Sequence, residues 1–153
     1  MTVRASRARR GEKPKRPRGF ASEVRPLIST RALGARVRTL GRAISRDYAG
    51  RTPTLVCVLK GAALFFADLV RAVELPVELE FIGVSSYAGS TKNSGEVRIS
   101  ADVARPLLGK DVLLVEDIVD TGLTAAFLVQ LLQARSPRSL ALCTLLEKPR
   151  CAS

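Results

Sequence analysis

The sequence predicts an α/β fold with a mostly parallel central sheet flanked by helices, and three observations carry that prediction. Short, continuous apolar runs such as Thr-Leu-Val-Cys-Val-Leu at 54–59 read as strands covered on both faces. Stretches with helical periodicity alternate with them along the chain. The connections are short, which favours right-handed crossovers and ligand binding at the carboxyl ends of the strands. At 153 residues and 46% hydrophobic content, the chain suffices for one domain with a core and is too short for two ordinary ones.

The elements follow in order. Residues 1–22 combine Arg, Lys, Pro, Gly and Ser with almost no large apolar side chains, so burial cannot offset the entropy of ordering them. They are expected to form a disordered basic tail ahead of a domain over 23–153. Residues 1–18 alone carry +7 of the net charge of +11, so the basic pI describes a tail more than a surface, and nucleic acid is not an expected partner of the fold. From Ser29 or Thr30 as N-cap, Leu33, Val37, Leu40, Ile44 and Tyr48 recur at helical spacing, and Gly50 follows as a stop. The strand at 54–59 lies between Pro53 and Gly61. A helix over 62–72, a strand over 77–84, a buried strand over 111–115, a helix over 123–134 and a strand over 139–146 complete the alternation. Residues 86–96 interrupt it with small polar side chains and two glycines, as a mobile loop would.

Composition excludes several chemistries. The sequence contains no histidine, which removes Ser-His-Asp and Cys-His triads and the usual zinc ligand sets. Its three cysteines form no CxxC pair, and Cys57 and Cys143 sit in apolar runs where a small buried thiol is the ordinary explanation. No stretch approaches the roughly 18 to 20 apolar residues of a membrane span, and no apolar secretory region follows the basic start. A reduced, cytoplasmic protein is expected.

The chemistry concentrates where the apolar strand ending at Val115 runs into Glu116-Asp117-Ile118-Val119-Asp120-Thr121-Gly122-Leu123-Thr124 and then into a helix. Gly122 lets the backbone approach a ligand closely. The N–H groups opening the helix, with the Thr121 and Thr124 hydroxyls, can donate to phosphate near the positive end of the helix dipole. Three acids within five residues would repel one another and the phosphate unless they face hydroxyls or a cation, so a sugar diol and Mg²⁺ are the natural partners. The competing reading is a solvated acidic turn in which Asp120 or Thr121 merely caps the helix.

Residues 112–124, Val-Leu-Leu-Val-Glu-Asp-Ile-Val-Asp-Thr-Gly-Leu-Thr, resemble the phosphoribosyl pyrophosphate signature of type I phosphoribosyltransferases. Three further segments resemble the hypoxanthine-guanine branch of that family in order and spacing: Val-Leu-Lys-Gly-Ala at 58–62, Val-Ser-Ser-Tyr at 84–87, and Leu-Leu-Glu-Lys-Pro at 145–149. The likeness covers about residues 26–149.

The resemblance implies a type I phosphoribosyltransferase fold and transfer of phosphoribose from phosphoribosyl pyrophosphate to N9 of hypoxanthine or guanine, with Mg²⁺, in purine salvage. It implies that Glu116 and Asp117 hold the ribose hydroxyls and, with them, Mg²⁺, while Asp120, Thr121, Gly122, Leu123 and Thr124 cradle the 5′-phosphate. Asp120 would also act as general base or proton relay at N7 of the purine. Lys60 and Gly61 would bind pyrophosphate, with a cis peptide often found at the position of Leu59 and Lys60. Ser86 and Tyr87 would belong to a lid, and Lys148 would contact the exocyclic oxygen of a 6-oxopurine. A homodimer or homotetramer is the family's usual assembly. Family members continue beyond the lysine with further purine-binding residues, so the chain is expected to lack a C-terminal segment and to have an incomplete base site. Two alternatives accompany the enzyme reading: a nucleotide-sensing, RNA-binding regulator of the same fold, and an inactive ligand-binding remnant.

Overall fold

The computed structural model describes residues 26–86 and 97–148. The expected tail at 1–22, Tyr87 and the rest of the predicted loop through Glu96, and residues 149–153 lie outside the described residues. Ser86 is described as strand backbone.

Helix α1 (Thr30–Asp47) begins where the sequence places its cap: the Ser29 side chain accepts the Ala32 N–H at 3.2 Å, and Tyr48 is the C-cap. Strand β1 (Thr54–Leu59) is followed by α2 (Ala63–Ala72), β2 (Glu78–Ser86), β3 (Val97–Ala101), β4 (Asp111–Val119), α3 (Leu123–Gln133) and β5 (Ser139–Glu147). The five strands form one sheet in the order β3-β2-β1-β4-β5. β1 pairs in parallel with β2 and β4, β4 pairs in parallel with β5, and β3 lies antiparallel against β2. The sheet is therefore mostly parallel, with its two most apolar strands in the interior.

Alternation along those strands feeds two cores. Leu55, Cys57, Leu113, Val115 and Cys143 face α1 and α2, where Ile44, Tyr48, Phe65, Phe66 and Leu69 cover them. Val56, Val58, Val112 and Leu114 face the other way and pack with Ile82, Leu107 and the α3 residues Leu128 and Leu132. Burial on both sides explains why β1 and the start of β4 read as unbroken apolar runs. It also pushes the Cys57 and Cys143 thiols up to about 11, the proximity of Asp117 adding to the effect at Cys57. Among the described residues, no helix is long and apolar enough to cross a membrane.

At the amino ends of β4 and β5 a charged clamp closes the sheet. The Asp111 carboxylate is 1% exposed and accepts from Arg138 Nη2 and, at 3.1 Å, Arg138 Nε; the Ser139 hydroxyl donates to it at 2.6 Å. Arg51 stands 3.4 Å away and stacks over the Tyr48 ring at 4.9 Å. The Arg138 and Ser139 hydrogen bonds hold the Asp111 carboxyl at about 2, well below its usual 3.8.

Two expectations need correction. The antiparallel strand β3 was not anticipated, although Val-Arg-Ile-Ser alternates at a period of two. More consequentially, β4 does not stop at Val115. It continues through Glu116, Asp117 and Ile118 to Val119, because β5 keeps pairing beside it: Glu116 is in register with Thr144, Ile118 with Leu146 and Val119 with Glu147. The acidic residues expected on a loop thus begin on a strand, and only Asp120-Thr121-Gly122 forms the turn.

Candidate active site

Strand geometry decides where each acid goes. Successive side chains on a strand point to opposite faces. Asp117 follows Leu113 and Val115 onto the α1/α2 face, whereas Glu116 follows Val112 and Leu114 onto the α3 face. Contacts agree with this division. A Cβ placed on Gly61 would come within 3.0 Å of Asp117 Oδ2 and 3.1 Å of Oδ1, so the turn after β1 lies directly against the Asp117 carboxylate. Glu116 instead lines a cavity of about 100 Å³ with Ile118, Asp120, Thr121, Gly122 and Thr124. The acids expected to act side by side are split across the tip of one strand.

On elementary grounds, the α3 start that borders this cavity can receive an anion. Gly122 is the N-cap of α3, in the left-handed conformation with φ 82°, and no side chain bonds the cap. The Ala126 N–H donates to Gly122 O at 2.8 Å, and the amides before it in the first turn have no intrahelical acceptor and lie at the positive end of the helix dipole. Thr121 Oγ1 accepts the Leu123 N–H at a long 3.4 Å. Of the two residues expected as caps, Thr121 thus reaches one amide of the first turn, and Asp120 does not cap the helix. The volume equals about three waters' share of the liquid, a size suited to a small polar group.

Glu116, which lines this cavity, has its Oε2 buried without a hydrogen-bond partner. Burial, followed by the neighbouring Asp117 charge, raises the Glu116 carboxyl above its ordinary value. A buried acceptor left unpaired costs free energy and invites a donor, such as a hydroxyl or a hydrated cation. Among the described residues, no cluster of three or more acidic or cysteine side chains could hold a metal ion through protein atoms alone. The donor set suits a hard cation that takes one or two carboxylates and completes its shell with substrate oxygens and water.

The remaining candidates converge on the same end of the sheet. The Leu59–Lys60 peptide is cis, and Lys60 is exposed beside Gly61. Lys148 leaves the end of β5, its N–H donating to Val119 O at 2.9 Å, and its ammonium lies 3.0 Å from Asp120 Oδ1. Both side chains are more than half exposed, so the pair fixes an arrangement more than it adds stability. Leu123 opens α3 and is 63% exposed. Ser86 ends β2, the strand neighbouring β1. Ile118, Val119 and Ala125 also line the cavity without being among the expected site residues; the β4 alternation continued past Glu116 leads to Ile118.

A mostly parallel sheet covered on both faces, with one interior strand ending in acids beside a helix start, defines an α/β fold with a candidate ligand site at the carboxyl ends of its strands. Comparison with known proteins narrows the class. A family model described as the phosphoribosyl transferase domain matches residues 27–153, and the chain belongs to that family. The hypoxanthine-guanine phosphoribosyltransferase of Mycobacterium avium is 48% identical over 129 residues, covering 80% of this chain and 64% of that protein. The chain thus spans just under two thirds of the length of that curated relative. A crystal structure of a hypoxanthine-guanine phosphoribosyltransferase from Bacillus anthracis, with HEPES in its active site, superposes with a TM-score of 0.75 at 40% identity. That match covers 83% of this chain and 76% of the other. The hypoxanthine phosphoribosyltransferase of Trypanosoma cruzi in complex with the product IMP gives 0.69 at 39% identity, over 79% and 71% of the two chains.

Proposed function

We propose that this chain binds phosphoribosyl pyrophosphate and transfers its phosphoribosyl group to N9 of hypoxanthine or guanine, giving IMP or GMP and pyrophosphate. The observation that carries the reading is the cavity at the start of α3, with its first-turn amides and the orphaned Glu116 oxygen. The amides of the first α3 turn and the hydroxyls of Thr121 and Thr124 take the 5′-phosphate. Ribose hydroxyls donate to Glu116 on one side of the strand tip and to Asp117 on the other. Lys60 and the Gly61 backbone face the pyrophosphate. Mg²⁺ would be held by Glu116 or Asp117 together with ribose, pyrophosphate and water oxygens, and it supplies charge neutralisation for the leaving group.

Asp120 and Lys148 then work as neighbours. Lys148 donates to the 6-oxo group of the purine, while Asp120 accepts the N7 proton as N9 bonds to the anomeric carbon and the bond to pyrophosphate breaks. The lid role of Ser86 and Tyr87, a homodimeric or homotetrameric assembly and a cytoplasmic location belong to the same reading.

Titration calorimetry with phosphoribosyl pyrophosphate, with and without Mg²⁺, and nucleotide formation from labelled hypoxanthine test it. Asp120→Ala should lower turnover on the order of 100-fold or more while leaving phosphoribosyl pyrophosphate binding within a few-fold. Undiminished turnover in that variant refutes the assigned role. Binding without any nucleotide product would make the chain a ligand-binding relative rather than an enzyme.

A further inference from the structure

The excess positive charge has one address in the described fold. Residues 1–46 hold 14 Lys and Arg against Glu12 and Glu23, whereas residues 47–153 hold 11 against 12 acids. Beyond the N-terminal segment the surplus therefore sits on α1, which carries Arg31, Arg36, Arg38, Arg42 and Arg46 with Asp47 as its only acid. At 3.6 residues per turn, Arg31, Arg38, Arg42 and Arg46 fall within about 80° of arc, on a stripe about 22 Å long. All four are exposed.

The stripe works against the helix that bears it. Arg38, Arg42 and Arg46 follow one another at i,i+4, where like charges repel, and Arg31 lies in a first turn that contains no acid, at the positive end of the dipole. Little on the protein offsets this. Arg46 bonds Asp47 at 2.9 Å, and Arg42 reaches only the Thr39 hydroxyl at 3.5 Å. Across the α1/α2 groove stand Asp68, which is bonded to Arg71 at 2.8 Å, and Glu74. Among the described residues, Arg31 and Arg38 have no carboxylate within ion-pair distance.

We propose that the solvent face of α1 is a docking surface for the phosphate backbone of a nucleic acid. Every cation of the stripe is an arginine, which suits bidentate recognition of phosphate. Arg38, Arg42 and Arg46 succeed one another about 6 Å apart along the axis, so they meet phosphates along one strand. No base-reading groups accompany them, so the contact is sequence-independent and governed by salt. A membrane surface fits less well, because the apolar face of α1 is already buried: Ile44 lies in the core, with Val37 and Leu40 packed against it. An acidic protein fits less well too, since the stripe's intervening residues Ala35 and Thr39 provide no large anchor.

The test uses the full chain and fluorescence anisotropy with a labelled single-stranded RNA across a salt series. Arg38→Ala/Arg42→Ala/Arg46→Ala keeps strong helix formers in α1, and an unchanged circular dichroism spectrum and melting temperature confirm the fold. The triple variant should lose affinity on the order of 100-fold at 0.1 M salt and lower the slope of log K against log salt by about 2. A second variant replaces the eight basic residues of 1–18 by Ser. It should weaken binding yet leave a salt-dependent component that the triple change removes. The proposal is overturned if the triple variant binds as the parent does, if all affinity disappears with the basic residues of 1–18 alone, or if vesicles of phosphatidylserine and phosphatidylcholine, but not RNA, respond to the triple change. Phosphoribosyl transfer need not be measured, so this result stands apart from the enzymatic reading.

Discussion

At Gly61 a single hydrogen in place of a side chain allows the turn after β1 to lie on the Asp117 carboxylate, with ideal Cβ contacts of 3.0 and 3.1 Å. Gly61→Ala should therefore displace Asp117 or the turn. The expected outcome is a several-fold or larger loss of phosphoribosyl pyrophosphate affinity by calorimetry, with a melting temperature close to the parent's because the turn is exposed. Unaltered affinity would show that neither group meets the ligand. Residue identity alone pointed to Lys60, Gly61, Glu116, Asp117, Asp120 and Lys148, and the fold gathers them at one end of the sheet. What identity could not supply is direction. That Glu116 and Asp117 face apart follows from the pairing of β4 with β5, a long-range register that the apolar run ending at Val115 does not announce.

Among the elements, α3 is the one whose geometry and chemistry are inseparable. Its N-cap needs φ 82°, a conformation costing a residue with Cβ about 1 to 2 kcal/mol, and it needs the absence of a capping side chain. Gly122→Ala should lower thermal stability by about that amount and also weaken phosphoribosyl pyrophosphate, both visible by ligand-shifted melting. A stability loss with full ligand affinity would separate the cradle from the site. The helix itself was legible from sequence, as were α1 with its Ser29 cap and the limits of β1. The ends of β2, β4 and β5 were not, each strand running further than its apolar run. Backbone pairing continues past the last buried side chain, and hydrophobic patterns record burial rather than hydrogen bonding. β3 was missed for a related reason: only its pairing with β2 commits so short a segment to a strand.

For the whole molecule, the sheet separates two sets of charges, the candidate-site acids at the carboxyl end of β4 and the Asp111 clamp at the amino ends of β4 and β5. Asp111 has a carboxyl lowered from 3.8 to about 2, so its contribution is fully present above the unfolded value and fades as pH falls from about 4 towards 2. Asp111→Asn should flatten that acid limb in melting scans. It should also lower the melting temperature at neutral pH, because the buried Asp111 side chain loses its charge-assisted bonds to Arg138 and Ser139. An unchanged acid profile would assign the limb to other carboxylates. At the opposite end, the β4 tip parts its two acids as a blade parts what lies on either side. A molecule holding both must straddle that edge and touch the Gly61 turn and the α3 start at once. Occupancy would then tie together two layers that otherwise meet only through the sheet between them, and slower amide hydrogen exchange should appear in both on ligand addition.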